Sequence, residues 1–199
     1  QNTGKRKNKP KKCGLDGMSI DLHDTFRFTE EKSRDAYLHQ NADTLLKQAE
    51  ELLAKTETGR RLLEFKNQYG VKIHVLRSNM TLTYVPDQKN VFLSCSGDLE
   101  AANKTLVLDL AAGLREAEHY AVGYILPDKD KDPGQYANMY HSKQLDISVH
   151  MCKVAHDFET DHSDTEYLDI LYKNGYGSIY EAYKDQVSYE ELAETYAEH

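Results

Sequence analysis

The sequence contains no tryptophan, only three cysteines and four prolines, and no apolar run near the ~20 residues that span a bilayer. The missing apolar runs exclude a transmembrane helix, and the absence of an apolar h-region behind the basic start argues against a secretory signal. Cys13, Cys95 and Cys152 are odd in number and far apart. That spacing fits neither a disulfide framework nor a structural zinc knuckle, so a reducing, cytoplasmic setting is expected. No glycine-rich phosphate loop occurs, and no histidine is tied in sequence to Cys95, which leaves nucleotide binding and cysteine hydrolysis without a motif.

What is present is helical patterning and charge. A chain of 199 residues can bury a real core, and its aromatic content leans to tyrosine, 14 against 5 phenylalanines. Rings of that kind are expected to be half-buried with a wet hydroxyl end. Net charge is −8, but residues 1–14 hold Lys5, Arg6, Lys7, Lys9, Lys11 and Lys12 and no acid, so the remainder carries −14. Such an acidic body argues against general nucleic-acid binding. The arm alone could touch phosphates or an acidic partner, or could simply be a solvated tail, since it lacks interleaved aromatics.

In chain order, residues 1–14 form the arm and 15–55 an N-terminal segment ending in a helix, with Leu45, Leu46, Ala49, Leu52 and Leu53 as its apolar stripe. Thr56 or Thr58 then caps a helix that stops at Gly70. Val71 to Leu76 alternates as a half-buried strand, and two further short strands flank the turn residues Pro86 to Asn90, giving a hairpin. A long buried helix is expected from Asp98 to Tyr124, capped by Ser96 or Asp98. A second follows over about Gln135 to Glu159. From Asp164 the pattern predicts three short helices, split at Gly175/Gly177 and near Ser188, with seven tyrosines whose spacing suits helix packing. The fold class is therefore α+β: a small antiparallel sheet or hairpin on a mainly helical body, with a core over 56–163 and a Tyr-rich acidic part over 164–199.

Several constellations bear on chemistry. Glu116/His119 and Glu159/His162 have the Glu-x-x-His spacing of di-iron helices, yet two such pairs are close to what chance supplies. Asp146 and His150 share a helix face and could join Glu116 or His119 in a metal site; an ordinary exposed acid–imidazole pair is the plainer reading. Asp128, Asp130 and Asp132 open like a calcium loop, but Pro133 and Met139 replace its glycine and bidentate glutamate, and interleaved lysines oppose a cation.

The order of elements carries a resemblance. Thr56-Glu57-Thr58-Gly59-Arg60-Arg61-Leu62-Leu63-Glu64 at a helix start, Gly70-Val71-Lys72-Ile73 as a strand, Tyr84-Val85-Pro86-Asp87 leading to Val91-Phe92-Leu93, and the closing Tyr176 to Tyr183 segment resemble a bacterial family of zincin-like metallopeptidases, over roughly 42–187. In that family the long helix reads like LAHELRHAWQ, and Leu110 to His119 lies on it without a gap. The resemblance implies a zincin-like layout in which Ala112 replaces the first zinc ligand, Gly113 the general base and Glu116 the second ligand, with Asp146 near the downstream acidic ligand. His-Glu-x-x-His works because two imidazoles one turn apart reach one zinc while the glutamate faces its water. One glutamate at that place holds no catalytic zinc. The implied function is that of a pseudo-enzyme without cofactor, a binding or structural module for a protein partner or a second copy. Two alternatives remain: a zinc-dependent hydrolase with ligands relocated to Glu116, His119, Asp146 and His150, and a nucleic-acid-associated protein acting through residues 5–12.

Overall fold

The computed structural model describes residues 41–76, 83–94, 99–186 and 188, with the backbone alone for 83 and 99–103. The basic arm, the segment up to residue 40, Ser96, Asp98, Cys13, Cys95, Tyr189 and Tyr196 lie outside them. Helix α1 covers residues 41–53 without a break. It turns directly into α2, Glu57–Tyr69, through Thr56, whose buried hydroxyl donates to the Leu53 carbonyl and accepts from the Gly59 amide, each at 2.9 Å. One threonine thus ends one helix and starts the next. Gly59 is obligatory at this corner, since a Cβ there would sit 2.0 Å from the Leu53 carbonyl oxygen. Gly70, at φ 75°, closes α2 in the left-handed conformation its position predicts.

Three short strands follow: β1 Lys72–Leu76, β2 Thr83–Val85 and β3 Asn90–Ser94. The expected hairpin is β2–β3, joined by a 3-10 turn over Pro86–Gln88 and running antiparallel. The sheet as a whole is mixed rather than antiparallel, because β3 lies between β1 and β2 and pairs with β1 in parallel. The chain between Leu76 and Asn90 returns to the start of β1 before β3 begins, which sets both strands in one direction. Alternation then decides the faces. Val91 and Leu93 are buried, whereas Phe92 stacks on His74 across the β1–β3 pair at 5.1 Å.

Helix α3, Leu99–Ala121, packs against α2, β2, β3, α4 and α5. Leu106, Val107, Leu108, Leu110, Ala111, Leu114 and Ala117 are all buried on it, so its apolar surface runs most of the way round, as a central strut requires. Helix α4, Pro133–His162, begins two residues earlier than the pattern predicts because Asp132 caps it and proline is suited to the first turn. Its thirty residues span about 45 Å.

Helices α5, Glu166–Lys173, and α6, Gly177–Lys184, fold back on α4. Tyr167, Leu171, Ile179 and Tyr180 join the same core as α3 and α4. The tyrosines here pack as their spacing predicts: Tyr167 stacks on Phe158 with ring centres 3.9 Å apart, and only Tyr172 among the ring-bearing residues of these two helices is largely exposed. The third predicted helix falls outside the described residues.

Candidate functional site at the centre of helix 3

Midway along α3, where the sequence lacks zinc ligands, the structure places small buried residues flanked by ion pairs. Ala112 and Gly113 are buried, and neither offers a donor atom. One turn on, Glu116 accepts from the ammonium of Lys143 on α4, Nζ to Oε1 2.7 Å. Lys143 is only 4% exposed, an unusual place for a lysine, and its charge is shared with the faces of Tyr120 and Tyr140 at 5.5 and 5.9 Å. Tyr84 of β2 packs on Tyr120, and burial pushes its hydroxyl above the ordinary tyrosine range.

The other face of the turn carries a chain of charge that ties three helices together. Arg61 of α2 grips Glu118 with both terminal nitrogens, at 2.8 and 3.3 Å. The second Glu118 oxygen also accepts from Arg115 at 2.7 Å, and Arg115 Nε donates to Asp146 Oδ2 of α4 at 2.6 Å. His119 Nε2 reaches the same Asp146 oxygen at 2.7 Å. Burial alone would raise the Asp146 carboxyl, but hydrogen bonds from His119 and Arg115 outweigh it and hold the group well below the carboxylate range. An ionised carboxylate only accepts, so His119 donates through Nε2. Its buried Nδ1 meets no hydrogen-bond partner among the described residues.

His150, one turn along from Asp146, is buried rather than exposed. Its Nδ1 lies 2.9 Å from the Asp146 carbonyl and 3.7 Å from Asp146 Oδ2. Burial first, and then the Arg115 charge, lower this imidazole to about 4, so it is neutral at pH 7. The acid–imidazole pair foreseen on α4 is therefore an interior feature fixed by α3.

Comparison of the chain with family models, curated proteins and solved structures finds no match. The centre must be judged by its own chemistry.

Of the four sequence-derived candidates, the structure gathers His119, Asp146 and His150 and directs Glu116 elsewhere, to Lys143. Sequence reasoning missed Arg61, Arg115, Glu118 and Lys143. Arg115 and Glu118 share a helix face by their spacing, which was a legible signal; Arg61 and Lys143 come from other helices and left none. Arg61, Arg115 and Lys143 balance Glu116, Glu118 and Asp146, three charges against three. The donor set does not fit the zinc that the resemblance implies. Two of its three motif positions have no donor atom, the third is engaged by an ammonium, and Asp146 Oδ2 already accepts from a guanidinium and an imidazole. Among the described residues no three His, Cys, Asp or Glu side chains are grouped to hold a metal ion.

The remaining pairs resolve separately. Glu159 accepts from Tyr180, while His162 lies over Phe158 and 3.3 Å from the Lys55 carbonyl. Asp128 takes the Asp130 amide and faces Lys131, and Asp132 caps α4, so the loop acids serve their own turn.

Proposed function

We propose that this chain is a non-catalytic, metallopeptidase-like module whose third helix is a structural strut and whose outer surfaces serve a protein partner or a second copy of the chain. The observation that carries this reading is the pairing of Arg115 with Asp146 and of Lys143 with Glu116: the acids nearest the proposed vacated motif already hold cations, Lys143 buried and Arg115 half-buried. A metal that took Glu116 would leave the buried Lys143 ammonium without its carboxylate, a loss of about 3–5 kcal/mol. The reading includes a reducing, cytoplasmic setting, supported by the odd, scattered cysteines, of which Cys152 is buried with its thiol pushed up to about 12 by burial. Among the described residues no helix is long and apolar enough to cross a membrane.

A peptidase assay on unfolded casein, with and without added zinc, tests it. The expected outcome is no hydrolysis above that of the Asp146→Ala and His119→Ala variants. Zinc-stimulated cleavage lost in both would overturn it. That result would instead favour a hydrolase with relocated ligands, a reading supported by the convergence of His119 and His150 on Asp146. For the basic arm, we infer contact with an acidic partner surface through Lys5, Arg6, Lys7, Lys9, Lys11 and Lys12, with nucleic acid as the other candidate. Deletion of residues 1–14 should weaken binding to the partner and leave the melting temperature unchanged; unaltered binding after deletion would remove the arm from the account.

A further inference from the structure

A second polar cluster, between α4 and α6, is not used by the α3 centre. Tyr180 is 2% exposed, and its hydroxyl lies 2.5 Å from Glu159 Oε2 and 3.2 Å from His156 Nδ1. His156 and Glu159 are themselves 3.7 Å apart, too far for a hydrogen bond, so the phenol stands between them. The order of donation follows from the atoms. Glu159 can only accept while ionised, so Tyr180 must donate to it; the single hydroxyl proton is then spent, and the Tyr180 oxygen must accept from His156. Burial, reinforced by the Glu159 charge, raises Tyr180 far above the ordinary phenol, so this proton stays in place. The Tyr180 bond therefore keeps a proton on His156 Nδ1, and in the neutral ring that leaves the lone pair on Nε2. The imidazole side chain is 32% exposed, with Tyr183 edge-on to its ring at 5.8 Å, so it is a positioned ring and not a buried one.

We propose that Glu159, Tyr180 and His156 form a hydrogen-bonded relay that presents His156 Nε2 as a solvent-facing proton acceptor for a hydroxyl-bearing ligand. When the hydroxyl proton moves to Nε2, the O–H electron pair stays on the ligand oxygen as an oxyanion beside the new imidazolium, Nδ1 keeps its proton and goes on donating it to the Tyr180 oxygen, and the Glu159 charge stabilises the cation through the phenol. The logic is that of a carboxylate orienting a catalytic histidine, with tyrosine as the intermediate link. Tyr180 and Glu159 are positioning residues in this scheme. The site lies apart from the proposed vacated centre and does not depend on it.

Nitrogen-detected NMR of the histidine rings tests the relay, with carbethoxylation by diethyl pyrocarbonate as the reactivity readout. In the full chain at neutral pH, His156 should be protonated at Nδ1 and free at Nε2. Tyr180→Phe should shift it toward the Nε2-protonated form and slow its carbethoxylation several-fold. Glu159→Gln retains an acceptor oxygen for the phenol and should keep the wild-type tautomer, which separates loss of the relay from general loosening of α6. A wild-type His156 protonated at Nε2, or a tautomer and reactivity unchanged in Tyr180→Phe, would overturn the proposal.

Discussion

Single residues set the tightest constraints in this fold, and they are not all in places where conservation of size would be guessed. Gly59 sits so close to the Leu53 carbonyl that any side chain must push two helices apart. Gly59→Ala is expected to cost about 3 kcal/mol, the upper range for overpacking, measurable as a lowered denaturation midpoint in urea. Gly177 is comparable, since a Cβ there would meet the Tyr172 ring at 2.3 Å; but Tyr172 is 48% exposed and can swing outward, so Gly177→Ala should cost clearly less. Asp109 carries a constraint of charge, not of size. It lies on α3, and burial raises its carboxyl to about 6. A folded value above the unfolded one means that the folded state binds the proton more tightly. Its favourable contribution is therefore complete below about pH 4 and is lost as pH rises through 6. Asp109→Asn should remove that slope from a plot of stability against pH, with a gain on the order of 2 kcal/mol at pH 8 relative to its effect at pH 4. An unchanged slope would show that Asp109 does not titrate in this window.

At the level of elements, the third helix is joined to its neighbours by charge as well as by apolar packing. Asp146 receives Arg115 and His119 from α3, and Glu118 is shared by Arg61 of α2 and Arg115. Asp146→Ala takes the acceptor from Arg115 Nε and His119 Nε2 while Arg115 keeps Glu118, and is expected to destabilise by about 1–3 kcal/mol. The sign with pH is opposite to that of Asp109: the Asp146 carboxyl is depressed, so its contribution is complete above about pH 4 and is lost as pH falls below it. Lys143 and Glu116 provide a complementary test. Either Lys143→Met or Glu116→Leu alone strands a charge, whereas the double variant removes both and should recover most of the loss. Equal additivity of the two single changes would show that the pair contributes no coupling. Much of this architecture was legible in advance. The Thr56 cap, Gly70, the β2–β3 hairpin and the long helices follow from local chemistry that any short window contains. The parallel pairing of β1 with β3 and the buried state of Lys143 and His150 were not legible, because each depends on a partner far along the chain.

For the whole molecule, a single idea connects these parts: the middle of the third helix, which we propose corresponds to the catalytic helix of a zinc peptidase, is flanked by paired charges from its neighbours. The sequence pointed to Ala112, Gly113 and Glu116 as the proposed vacated positions, and the cations Arg61 and Lys143 beside that stretch of α3 became visible only when α2 and α4 were folded against it. Under the proposed reading, function lies outward, on the arm, on the surfaces of the helical body and at the proposed His156 relay. The measurement that tests the central claim most directly is metal analysis of the protein purified without chelator, followed by calorimetric titration with zinc. The account predicts no stoichiometric metal and no saturable zinc binding at the α3 centre. One zinc or iron per chain, lost on replacing His119 or Glu116 with alanine, would contradict it.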